Sequence, residues 1–142
     1  MKDNIVCSGA LFYSTSTKRF LFLQRTDRKT QGMWGLVGGK SKYTESAFEG
    51  LKREIVEEVG DTPKFKKVIP LEMFTSNDQK FFFHTYLIAI DSEFIPKLNV
   101  EHSGYCWCAF ECWPKNLHMG LRNTLNNKSI KGKLQTILDL IV

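Results

Sequence analysis

Residues 38–60 read GGKSKYTESAFEGLKREIVEEVG, and the spacing within this stretch decides how the chain is organised. Ala47, Phe48, Leu51, Ile55 and Val59 recur at three- and four-residue steps, which predicts one amphipathic helix with its apolar stripe against a core. Val56 falls off the stripe. Thr44 or Ser41 is available to cap the start, and Gly60 to end it. On the same helix Glu54, Glu57 and Glu58 stand at i, i+3 and i+4, so three carboxylates emerge from a single turn of one face. Like charges at that spacing oppose the helix by a few tenths of a kcal/mol per exposed pair. Gly50, one turn earlier, carries no side chain and weakens a helix interior by about 1 kcal/mol relative to Ala.

Two readings account for the triplet. In one it is an exposed acidic face, neutralised by Lys52 and Arg53. In the other a hard divalent cation sits over the carboxylates, and Gly50 leaves room for a bulky anionic ligand. Magnesium suits the second, because it takes oxygen ligands and shares them with waters and substrate phosphates. Gly38 and Gly39 permit a backbone turn that would aim a carbonyl at the same cation. Glu45 lies where it can pair with Arg53 and brace the loop against the helix.

The segment resembles the signature of the Nudix hydrolases, G-x5-E-x7-R-E-U-x-E-E-x-G-U with U aliphatic. Gly39, Glu45, Arg53, Glu54, Ile55, Glu57, Glu58 and Gly60 fill its places in register. Asp61 departs from it where an aliphatic residue is expected, beyond the carboxylates, so metal binding is expected to survive. The strands around the helix, the glycines after Trp34 and a later Glu-to-Trp segment extend the resemblance over most of the chain.

The resemblance implies a single domain over residues 1–142, an α/β/α sandwich with a mixed β-sheet between helices. It also implies Mg-dependent cleavage of the pyrophosphate bond in a nucleoside diphosphate linked to another moiety, with Mn as an alternative ion. Glu54, Glu57 and Glu58 would be the metal ligands, joined by a carbonyl of Gly38 or Gly39, while Arg53 and Glu45 orient loop and helix. The attacking water needs a proton acceptor. Glu54 can serve, and so can a loop glutamate outside the signature. Glu101, in EHSGYCW just ahead of a strand, is that candidate, although a solvent-facing loop residue fits it equally. Arg25 and Arg28 are placed to reach substrate phosphates, or are surface charge.

Elsewhere, residues 5–13 and 20–25 read as a hairpin around STSTKR, and GMWGLVGGK as a glycine-rich loop. Residues 65–75 and 80–90 read as strands, with Pro70 marking an edge or bulge, and a further strand is expected at 105–110. Residues 121–126 suggest a helical turn, and 129–142 a closing helix with Leu134, Ile137, Leu138 and Ile141 inward. Phe12, Phe81, Phe83 and Tyr105 lie in strands and read as core. Trp34, at the mouth of the loop, is the expected platform for a nucleobase. His84 and His102 are expected in hydrogen-bonded structural roles.

The 142 residues, 42% hydrophobic, suit one domain. No apolar run reaches the length of about 18 needed to span a membrane, and Met1–Asn4 lacks a signal-peptide pattern, so a cytoplasmic protein without membrane association is expected. Cys7, Cys106, Cys108 and Cys112 read as free thiols, since C-x-C-x3-C is not a usual zinc spacing. The net charge of +5 attracts anions. Its dispersed basic residues favour a small nucleotide over nucleic acid, with an RNA 5' end as the alternative substrate. FTSNDQK (74–80) carries neither the proline nor the tyrosine that marks two of the family's subclasses, so nucleotide sugars, ADP-ribose-like compounds, dinucleoside polyphosphates and nucleoside triphosphates stay open. A non-catalytic nucleotide-sensing module is the alternative function, and a homodimer is compatible with the size.

Overall fold

A computed structural model describes residues 4–141; Met1–Asp3 and Val142, the last residue of the expected closing helix, lie outside them. The expected hairpin forms from β1 (Ile5–Ser14) and β2 (Arg19–Arg25), but it is paired only at its closed end, Tyr13 with Phe20 and Ser14 with Arg19. Beyond that the two strands diverge. The glycine-rich stretch expected as a loop instead supplies two short strands, β3 (Trp34–Gly35) on β2 and β4 (Val37–Lys40) on β1. Close approach is the physical reason: Gly38 lies across from Gly9, and a Cβ on Gly38 would overlap the Ser8 carbonyl oxygen.

After α1 (Ala47–Val59) come β5 (Lys67–Thr75), β6 (Phe81–Ile90) and β7 (His102–Ala109). β6 runs parallel to β1 in register from Ile5–Phe81 to Ser14–Ile90, and β5 forms the edge with the irregularity expected at Pro70. β7 pairs with β2 and begins three residues earlier than expected, which puts Glu101 immediately before it. The result is a seven-stranded mixed sheet, ordered β3-β2-β1-β6-β5, with β4 on β1 and β7 on β2.

Alternation along β1 divides its side chains between two cores. Ala10 and Phe12 pack with Leu51, Ile55 and Val59 of α1, whereas Leu11 and Tyr13 pack with the helices that end the chain. Those are α2 (Met119–Asn126), longer than the expected turn, and α3 (Lys128–Leu140), whose Leu134 is buried. Helices on both faces of one sheet make the α/β/α sandwich.

Two details of α1 differ from expectation. Its N-cap is Ser46, neither Thr44 nor Ser41, because Glu49 stands at N3 and closes a reciprocal capping box with Ser46. Gly50 makes no room for a ligand. It is buried, and a Cβ there would collide with Ser41, so its role is to let the helix lie against the end of β4.

Candidate functional site

Helix α1 presents its acidic turn to the end of β4. Glu58 is 3% exposed and its Oε1 accepts the Gly38 N–H at 2.9 Å. Gly39 faces Glu54 so closely that a Cβ would overlap the carboxylate. Glu57 is about half exposed and takes a hydrogen bond from Arg53 Nη1 at 3.2 Å. Arg53 also grips Glu45 through two nitrogens, Nε at 2.8 Å and Nη2 at 3.0 Å, and donates from Nη2 to the Lys40 carbonyl at 3.0 Å. One guanidinium thus ties helix, preceding loop and β4 together, the bracing expected of the Glu45–Arg53 pair.

Glu101 reaches the same place from the other side of the cleft. Its backbone is fixed at both ends: its N–H donates to Asn99 Oδ1 at 2.9 Å, and its carbonyl accepts the Thr26 N–H at 3.1 Å. Asn99 in turn donates to the Glu57 carbonyl at 3.0 Å, linking this loop to the last turn of α1. The carboxylates of Glu58 and Glu101 and a ring nitrogen of His102 all fall within 4.8 Å of one another.

Electrostatics follow from this crowding. Burial pushes the Glu58 carboxyl up to about 8, with Glu54 and Glu101 adding to the rise and the Gly38 N–H opposing it. Glu54 is pushed up to about 7, by burial first, then by the hydrogen bond and charge of neighbouring Glu57, with Arg53 pulling the other way. Glu45 is held down to about 2, chiefly by its hydrogen bond from Arg53. Burial, followed by the charge of Arg25, lowers His102 and favours its neutral imidazole.

These residues fit a divalent cation. Glu54, Glu58 and Glu101 offer hard oxygen donors at one place, and their mutual repulsion is what such an ion would relieve. Gly38 and Gly39 border the same space. The exposed-face reading of the triplet therefore holds only for Glu57, since Glu58 is buried.

The carboxylates open into a cavity of about 980 Å³. It occupies the cleft where β1 and β2 diverge and extends over the face of the mixed sheet that carries α2. At the far end lie Phe74, Phe81 and Phe83, with Asn123, Thr124 and Asn127 from α2 and its exit. Phe74 and Phe83 are register partners across β5 and β6, and Phe74 remains 52% exposed. Arg25 lines the cavity, its Nε engaged by Asp27 at 3.0 Å and Thr30 at 2.7 Å, while Arg28 is exposed outside the lining.

Trp34 is not at the cavity. Its side chain packs on the second core, and its backbone bonds Asn116 at 3.0 Å and His118 at 2.9 Å, so it anchors the segment leading into α2. The aromatic side chains that line the cavity are instead Phe74, Phe81 and Phe83. In KFFFHTY the period-two alternation of Phe81, Phe83 and Thr85 was the available signal, while Phe12 is core as expected. His102 also departs from its expected hydrogen-bonded role, because its Nδ1 is buried without a partner.

Among the described residues no helix is long and apolar enough to cross a membrane, and all four cysteines are free thiols. Comparison with curated proteins by sequence finds no match. Comparison of folds finds a MutT NUDIX hydrolase from Burkholderia pseudomallei at TM-score 0.71 and 24% identity, covering 88% of this chain and 98% of that one. An Ap4A hydrolase binary complex from C. elegans is similar at TM-score 0.71 and 19% identity, covering 95% and 99%. A MutT protein from Methanosarcina mazei Go1 is similar at TM-score 0.71 and 24% identity, covering 94% and 97%. These likenesses establish the fold. The NUDIX domain profile matches residues 5–127, the span that holds the signature helix, Glu101 and the whole sheet, and on that match the chain belongs to the Nudix hydrolase family.

Proposed function

We propose that the chain is a magnesium-dependent pyrophosphohydrolase of a small nucleotide, cleaving the pyrophosphate bond of a nucleoside diphosphate linked to another moiety. The observation that carries this reading is one cavity with two unlike ends. Carboxylates crowd one end, and a shelf of Phe74, Phe81 and Phe83 forms the other. A nucleotide has the matching polarity, with phosphates for the first and a flat base for the second.

Glu54, Glu57 and Glu58 would hold the ion, with the backbone at Gly38 or Gly39. Bound there, magnesium would supply charge to neutralise diphosphate oxygens and to acidify a water. Arg53 and Glu45 keep the helix and β4 in register, and Arg25 offers positive charge at the cavity wall. A water oxygen attacks one phosphorus, the bridging P–O bond breaks, and Glu101 takes the water's proton, its position fixed by Asn99 and Thr26. The products are a nucleoside phosphate and the phosphorylated remainder. A cytoplasmic enzyme belongs to the same proposal, and the four free thiols are those that a reducing compartment keeps.

Incubation with a panel of nucleotide sugars, dinucleoside polyphosphates, nucleoside triphosphates and triphosphorylated RNA, with magnesium, tests the reading. Turnover of one small nucleotide by the parent and not by a Glu57→Gln, Glu58→Gln variant is expected. Tight nucleotide binding with no product would replace the enzyme with a sensing module, and turnover of RNA alone would replace the substrate class.

A further inference from the structure

We infer that His102 supplies an imidazole nitrogen to a cation position of mixed nitrogen and oxygen character with Glu58 and Glu101, beside the all-oxygen position of Glu54 and Glu57 and sharing Glu58 with it. A ring nitrogen of His102 and one carboxylate oxygen from each glutamate lie within 4.8 Å of one another, a spread that a single ion can draw together. His102 is 8% exposed, yet its Nδ1 has no hydrogen-bond partner. A buried imidazole nitrogen left unpaired is costly unless something absent from the protein chain satisfies the ring.

Hydrogen bonds anchor the backbone around the cluster. Glu101 is pinned by Asn99 and Thr26, Glu58 by the Gly38 N–H, and His102 sits in β7 opposite Arg25. The three groups therefore converge from the last turn of α1 on one side and from the start of β7 on the other. One imidazole and two carboxylates make a mixed donor set, unlike the all-oxygen set that magnesium takes, and manganese, a hard divalent ion with unpaired electrons, serves as the probe of it. Holding an ion through one oxygen leaves Glu101 its second oxygen for a proton.

Pulsed EPR on the protein loaded with manganese chloride alone tests this without turnover. A nitrogen coupling from a ligated imidazole is expected, changing from the ¹⁴N to the ¹⁵N pattern when the unsubstituted protein is grown with ¹⁵N-histidine. The coupling is expected to vanish in His102→Gln and to persist in His84→Gln, His118→Asn and Glu54→Gln. Absence of manganese binding, binding without nitrogen coupling, or coupling that survives His102→Gln overturns the inference. Because the reading needs no substrate, a coupling seen in a protein that hydrolyses no nucleotide would sink the proposed activity and leave this site standing.

Discussion

Gly39 and Glu54 are in such close contact that the Glu54 carboxylate occupies the space a Cβ on residue 39 would need. Strand and helix meet there without a side chain between them, and the position of the carboxylate depends on that vacancy. Gly39→Ala displaces the tip of a flexible glutamate, not backbone, so the fold is expected to hold. A shift of about 1 Å at a reacting group can cost about 100-fold in rate. Steady-state kinetics of Gly39→Ala should show kcat lower by roughly that factor, with a thermal midpoint close to the parent's.

Metal-free protein should lose stability as pH rises. Glu58 and Glu54 have folded-state values near 8 and 7, above the ordinary carboxyl value of 4.5. The fold therefore favours their protonated forms, and this contribution is complete below 4.5 and lost as pH climbs through 7 and 8. A divalent cation reverses the penalty. Thermal melts are expected to show a larger midpoint increase on adding magnesium near pH 8.5 than near pH 5.5, about the two ends of that window. Equal increases would count against buried, crowded carboxylates.

Glu45 works in the opposite direction. Its value is held near 2, so the stability it confers is present above 4.5 and disappears as pH falls towards 2. Acid unfolding of Glu45→Gln should lack that portion of the transition. Arg53→Lys should resemble it, since an ammonium cannot make the two-pronged contact with Glu45 and also reach the Lys40 carbonyl. Circular dichroism against pH reads both.

Phe74→Ala should raise KM for the preferred nucleotide about tenfold with kcat nearly unchanged, because stacking on an aromatic contributes about 1–3 kcal/mol per base. Trp34→Phe should leave KM alone, as that ring packs in the core and not at the cavity.

What the sequence disclosed was local. The period of Leu51, Ile55 and Val59 and the spacing of Glu54, Glu57 and Glu58 lie within one helix, so both the helix and its acidic turn could be read directly. Features that depend on distant partners could not. Val37–Lys40 has no strand-like alternation, and it is a strand only because β1, some thirty positions earlier, accepts its glycines at close range. Phe81 and Phe83 look like Phe12 on paper; which of them is core depends on where α2 settles over the sheet. Trp34 sits beside the glycines, yet its neighbours in space come from the segment before α2. Glu101 could be suspected from EHSGYCW, whereas its approach to Glu58 across the cleft needed the third dimension.

The most direct measurement is a crystal structure with manganese and a non-hydrolysable nucleoside diphosphate derivative, read by anomalous scattering. The account predicts a metal peak bridging the diphosphate and the carboxylates of Glu54, Glu57 and Glu58, with the base against Phe74, Phe81 and Phe83. A nucleotide bound there with those glutamates turned to solvent and no metal peak beside them would contradict it.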